Sequence, residues 1–177
     1  MSILKVARLG HPVLRTLARP LEESEIKSQV IQKLIDDMIE TMYEYQGVGL
    51  AAPQIYESFR IFVAGVESKS EAGELSTTVF INPEVVALDS SKVEDWEGCL
   101  SIPDMRGRVL RSANVRIRSF DRRGESFEKE LHGYSSRVVQ HELDHLDGIL
   151  FLDRMTSFES LSLLEEFERF WRSEADS

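Results

Sequence analysis

Cysteine is nearly absent from this chain. Cys99 is the one thiol, so no internal disulfide can form, and the framework of small secreted domains is excluded. Long apolar runs are missing too. Nothing approaches the roughly 20 residues of a membrane-spanning helix, and no membrane association is expected. The opening residues offer no secretory core, because Lys5, Arg8 and Pro12 interrupt them; a cytoplasmic protein is expected. Positive charge is scarce: 21 Lys and Arg stand against 31 Asp and Glu, for a net charge of -10. That balance argues against broad binding to nucleic acid, and no stable DNA binding is expected. The remainder is ordinary for a globular protein. Hydrophobic residues make up 42% of 177, which suits a single domain over 1–177, with 174–177 expected to fray.

The apolar pattern predicts the elements. Ser24 is a plausible cap for a helix from about 25 to 45, with Ile26, Val30, Ile31, Leu34, Ile35, Met38, Ile39 and Met42 on one face and Gly47 at its end. Strands are expected at 60–66, at 77–82 and 84–88 divided by Pro83, at 109–110, at 114–120 and at 125–131, with a turn at Asp121-Arg122-Arg123-Gly124. The polar stretch 67–76 reads as an exposed loop. A helix follows over about 134–146, with Ser135-Ser136 as possible caps and Gly148 as a stop. Ile149–Leu152 reads as a short strand. Ser157 is the expected cap of a last helix to about Arg172, with Leu161, Leu164, Phe167, Phe170 and Trp171 inward. The fold class expected is α+β: antiparallel β-sheets around a central helix, with one helix N-terminal and another C-terminal to them.

The central helix carries Gln140-His141-Glu142-Leu143-Asp144-His145. Two histidines four apart project from one helical face, one turn apart, and can hold one metal ion. Glu142 adjoins a ligand and can reach an activated water without binding the metal itself. This is the His-Glu-x-x-His pattern of metallohydrolases; the plain alternative is a helix with a polar face.

Two other stretches bear on that choice. Glu97-Gly98-Cys99-Leu100-Ser101-Ile102-Pro103 holds the lone thiol in what reads as an irregular segment. A lone cysteine is most often a small buried hydrophobe. As a ligand, however, Cys99 would complete a three-residue set with His141 and His145, leaving a position open for water as catalytic sites do. Gly47-Val48-Gly49-Leu50-Ala51-Ala52-Pro53-Gln54 is a small-residue loop that something can approach closely. It lacks the lysine of a phosphate-binding loop, and a tight connection would give the polar Gln54 no purpose.

Together and in this order, the 47–54, 97–101 and 140–145 stretches resemble the three signature motifs of the peptide deformylases. The resemblance extends over nearly the whole chain except the C-terminal helix. It implies a bacterial-type enzyme that removes the formyl group from N-formylmethionyl peptides and releases formate. It implies one divalent metal ion held by Cys99, His141 and His145, and Glu142 as general base and then acid. The Leu100 backbone N–H and the Gln54 amide would stabilise charge on the carbonyl oxygen. Gly49, with Val48 beside it, would meet the substrate's main chain. The ligand types suit zinc, iron, nickel or cobalt; the family implies Fe(II) as native, with Zn(II) or Ni(II) possible. Transient contact with the ribosome and nascent chain is implied as well. Arg137 lies one turn before His141. Since the family's apolar methionine pocket borders this helix, Arg137 is expected to line it, with its guanidinium at the mouth.

Other readings stay open. A general zinc endopeptidase of the His-Glu-x-x-His type would need a third ligand downstream, for which Asp153 is the nearest candidate. A structural zinc module would need a fourth ligand, and a cysteine-nucleophile hydrolase would survive chelation. Glu97 and Asp144 either orient the ligands or form ordinary ion pairs. Trp96 either packs on the site or serves the core. His11 and His132 read as loop and turn residues. The arginines at 106, 108, 111, 116, 118, 122 and 123 read as outward strand residues, against a local patch for RNA or a peptide carboxylate.

Overall fold

The computed structural model describes residues 2–67 and 75–172. Most of the expected 67–76 loop and all of the expected 174–177 tail lie outside the described residues. The elements are α1 (Glu23–Ile26), α2 (Gln29–Glu44), β1 (Gly49–Ala51), β2 (Ile61–Glu67), β3 (Leu75–Leu88), β4 (Lys92–Cys99), β5 (Ile102–Ser112), β6 (Asn114–Phe120), β7 (Ser126–His132), α3 (Gly133–Leu146), α4 (Phe151–Arg154), β8 (Ser162–Leu163) and α5 (Leu164–Phe170). The fold is α+β. One sheet has the order β1-β2-β3-β6-β7 and the other β4-β5-β8, with antiparallel pairing throughout both.

The larger sheet is covered on both faces, which explains why β2 is apolar at nearly every position. Ile61 and Val63 face α2, in a cluster with Ile31, Ile35, Met38 and Met42. Phe62, Ala64 and Val66 point the other way and pack with Val138, Val139, Leu143 and Leu146 of α3. Burying each of these large side chains contributes about 1.5–3 kcal/mol, so α3 is held firmly enough to carry a site. The β4–β5 hairpin forms a third layer. Its Ile102 and Val109 pack with Leu14, Leu150 and Phe151.

Several boundaries differ from the sequence reading. The first helix is broken at Lys27-Ser28, and it is the Ser28 hydroxyl, not Ser24, that caps α2 by accepting from the Ile31 N–H. Val30 is 77% exposed, since it lies beside the buried stripe. The left-handed residue after α2 is Gln46, at φ 54. Pro83 does not divide two strands. β3 continues past it through a register shift between Ile81 and Glu84, with Asn82 at φ 48, so a bulge absorbs the missing N–H. Cys99 ends a strand, β4, that the polar sequence 92–99 concealed, and the expected irregularity survives as a register shift between Glu97 and Cys99. Ser135 and Ser136 lie inside α3 and do not cap it: Ser136 donates to the Ser112 carbonyl, and Ser135 accepts from the Glu67 N–H. Residues 151–154 are helical, not a strand. The single C-terminal helix resolves into a 3-10 turn at Phe158–Ser160, β8 and the short α5; Phe170 is exposed.

Candidate metal centre

Helical geometry sets His141 and His145 on one face of α3, their rings 4.9 Å apart between centroids. The end of β4 brings Cys99 against them, its Sγ 3.2 Å from His145 Nε2. One donor atom from each of the three lies within 4.8 Å of the others. A sulfur and two imidazole nitrogens in such a cluster fit a divalent transition metal with an open position.

Glu97 organises the set from behind. Its Oε2 accepts from His141 Nδ1 at 2.8 Å, which leaves Nε2 of that ring as the donor to a metal. The same carboxylate accepts from Arg111 Nε at 2.8 Å and Nη2 at 3.0 Å, and from Arg137 Nη1 at 2.9 Å. Arg111 also reaches Asp144, which pairs in turn with Arg154. Burial alone would raise the Glu97 carboxyl, but Arg111 and His141 hold it well below the usual carboxylate range. Burial likewise pushes the Cys99 thiol up. The charge on His145 and hydrogen bonds with His141 and His145 outweigh it, and the thiol lies well below its ordinary value. Burial lowers His141, while hydrogen bonds to Cys99 and Glu97 carry it well above its ordinary value. The cluster therefore favours a thiolate, the form that binds metal.

A cavity of about 500 Å³ opens on Glu97, Cys99 and His141, lined also by Val48, Gly49, Gln54, Leu100, Arg137 and Glu142. Glu142 is buried, and its Oε2 has no hydrogen-bond partner among the described residues. Burial is the main reason its carboxyl is raised to about 7. Gln54 lies in the 3-10 turn Ala52–Ile55 that follows β1: its Oε1 accepts from the Ala51 N–H at 2.8 Å, which turns Nε2 to within 3.5 Å of Cys99 Sγ. Gly49 lies in β1, the edge strand of the larger sheet, paired through Ala64 to β2 alone.

Arg137 lines the cavity, but its guanidinium does not run to the mouth. It is buried, bonding Glu97 and the carbonyls of Val109 at 2.8 Å and Val93 at 2.7 Å. Asp153 is paired with Arg15 and accepts from the Leu150 N–H, so the endopeptidase reading loses its third ligand. His132 bonds Asn114 and His11 packs edge-on against Tyr56. The arginine run separates into distinct roles. Arg118, Arg122 and Arg123 pair with acids, Arg108 stacks over Trp96, and Arg106 covers the bare face of Gly98. Arg111 is the residue the sequence reading misplaced. Strand alternation puts it on the same face as the fully buried Val109, and that signal was available.

The sequence model of the family described as Polypeptide deformylase matches residues 3–160. The chain belongs to that family. The peptide deformylase of Leptospira biflexa is 38% identical, over 95% of this chain and 96% of that protein. That of Salinibacter ruber is 45% identical, over 88% and 82%. Among solved structures, the class I type b peptide deformylase of Acinetobacter baumannii superposes with a TM-score of 0.83 at 39% identity, over 88% of this chain and 100% of that one. The Thermotoga maritima peptide deformylase gives 0.81 at 39%, over 89% and 100%. The chain is therefore an enzyme that removes the N-formyl group from nascent peptides, and the endopeptidase alternative is not favoured.

Proposed function

We propose that the deformylation is carried out in this cavity, with one divalent ion held by Cys99, His141 and His145 and with Glu142 as the proton carrier. The observation that carries this reading is the Glu142 carboxylate, buried beside both histidines with an unpartnered oxygen and raised to about 7. Such an ion supplies a Lewis acid for the formyl oxygen and lowers the pKa of water to near neutrality. Glu142 takes a proton from the attacking water and delivers it to the nitrogen as the C–N bond breaks, giving formate and a free amine. The Gln54 amide and the Leu100 N–H meet the charge that develops on the carbonyl oxygen; one such donor contributes about 3 kcal/mol. The open edge of β1 pairs with the substrate main chain at Gly49, with Val48 alongside.

The native ion in this reading is Fe(II), with Zn(II) or Ni(II) as substitutes. The protein works as a single catalytic domain in the cytoplasm, meeting nascent chains near the ribosome. No helix of the described residues is long and apolar enough to cross a membrane. A Met-Ala-Ser complex of the Acinetobacter baumannii relative is also known, and that peptide corresponds to a deformylated product. The test is formate release from formyl-Met-Ala-Ser, with and without chelator, beside an unformylated peptide. Chelation should abolish release and Fe(II) should restore it. Cleavage of internal peptide bonds, or activity that persists after chelation, would overturn the reading.

A further inference from the structure

The family match ends at residue 160, yet the chain continues through β8 and α5 and returns to the catalytic cavity. β8 adds to β5 through Met105–Leu163 and Arg106–Ser162 pairs. This docks the start of α5 at the cavity, where Leu164 is part of the lining. Phe167 and Trp171 then pack on Trp96, with ring centroids 4.8 and 6.1 Å away. Arg108 closes the cluster, its guanidinium 5.1 Å from the Trp96 ring and 5.8 Å from that of Trp171. The Ser160 hydroxyl accepts from the Arg108 N–H at 3.0 Å, which fixes the turn leading into β8. Trp96 is itself a lining residue of the cavity.

Position along the strand gives this wall a function. Trp96 precedes Cys99 by three residues in β4, and the register shift between Glu97 and Cys99 lets both line the cavity where strict alternation would oppose them. At roughly 3.3 Å per residue, Trp96 stands at most about 10 Å along the strand from the metal donor. A substrate held with its formyl carbon at the metal, running extended beside the strand, covers that length by its third residue. There it meets the indole of Trp96, held by Phe167, and the side chain of Leu164.

Resting on the deformylase reading, we infer that residues 161–172 form the outer wall of the substrate channel and select for an apolar side chain at the third residue of the formylated peptide. Trp96 and Leu164 are the contact residues; Phe167 is a positioning residue that holds the indole. The segment is joined to the rest of the fold mainly through β5, so it can differ in sequence without disturbing the metal ligands.

The test uses the full chain, loaded with metal, and three C-terminally amidated peptides: formyl-Met-Ala, formyl-Met-Ala-Phe and formyl-Met-Ala-Asp. The parent should favour Phe over Asp at the third position by about tenfold in kcat/KM, mostly through KM, the size expected for one partly buried apolar contact. Leu164→Ser and Phe167→Ala should each bring that ratio to within about twofold of unity, and Phe167→Leu should restore most of it. Thermal melting identifies any loss of folding. If Phe167→Ala does not fold, Leu164→Ser decides the question, because Leu164 is not among the stacked rings. A parent that treats Phe and Asp alike, or variants that slow all three peptides by one factor, would overturn the inference. Absence of formate from all three peptides would overturn the deformylase reading itself and this inference with it.

Discussion

A Cβ built on Gly49 would stand 2.3 Å from Oε1 of Glu142. The proposed proton carrier therefore lies directly against the bare backbone of edge strand β1, the same strand proposed to pair with substrate. One contact places the carboxylate and keeps the strand clear for the peptide.

Gly49→Ala should therefore displace the Glu142 side chain while leaving the metal donors in place. A shift of about 1 Å at a reacting group costs on the order of a hundredfold in rate. The expected outcome is a loss of that size in kcat, with metal content per chain unchanged. Parent-like turnover would show that Glu142 does not act from the position seen here.

Glu142→Gln removes the proton carrier without removing a ligand. Formate release should fall by roughly a hundredfold to ten-thousandfold, with metal stoichiometry retained.

The same variant has a pH signature in chelated protein. Burial raises Glu142 to about 7 in the folded chain, above its unfolded value. The folded state therefore holds the proton more tightly, and stability falls as pH rises through the window from about 4.5 to 7. Glutamine is neutral at every pH and escapes this cost. Glu142→Gln should melt higher than the parent at pH 8, by up to about 3 kcal/mol in stability, and the gap should close by pH 4.5. A gap that widens on acidification would refute the assigned direction.

Which parts of the fold were legible follows from which interactions are local. The α2 stripe and the β6–β7 hairpin were readable because period 3.6 and period 2 place Ile31, Ile35 and Met38, or Val115 and Ile117, on one face. The two histidines were readable for the same reason. β4 was not: Lys92 to Cys99 has few apolar residues because its neighbours supply ion pairs and aromatic stacking. Arg137 was placed on the right side of α3 but at the wrong end of its reach. A guanidinium goes wherever carbonyls and a carboxylate converge, and that convergence is created by β4 and β5, far away in sequence. Glu97 looked like either a ligand-orienting group or a routine ion pair, and in the structure it is both.

Replacing Glu97 separates those two roles. Glu97→Gln keeps the shape but removes the charge that holds His141, Arg111 and Arg137. Loss of an orienting partner lowers metal affinity about 10- to 100-fold. Arg111 keeps its ion pair with Asp144, so losing the Glu97 charge costs less than the roughly 3–5 kcal/mol of a fully unpaired buried charge. Arg137→Met should show the second effect in smaller measure, since Arg111 remains on Glu97, and should leave the preference for methionine at the substrate's first position unchanged. Competition with a calibrated chelator and thermal melting read the two quantities. A Glu97→Gln protein with parental metal affinity would remove Glu97 from the site.

Cys99 gives the most direct check on ligation, because no other thiol contributes background. Its thiol lies well below the ordinary value, against the effect of burial, because His145 and His141 favour the thiolate. In the metal-loaded protein that sulfur is a ligand and shielded, so a thiol reagent should label it slowly. Chelated protein that is still folded should label fast, since a thiolate is then exposed to the 500 Å³ cavity. An iron-loaded form should also lose activity in air and keep it under reductant, because either the ferrous ion oxidises or the thiolate goes to sulfenic acid. Zinc has no redox chemistry and should suppress the iron-dependent part of this loss. A cysteine buried only for packing behaves differently: its labelling tracks unfolding and ignores metal. Equal labelling rates in folded loaded and folded chelated protein would therefore exclude Cys99 as a ligand, leave two histidines without a third donor, and dismantle the metal centre proposed here.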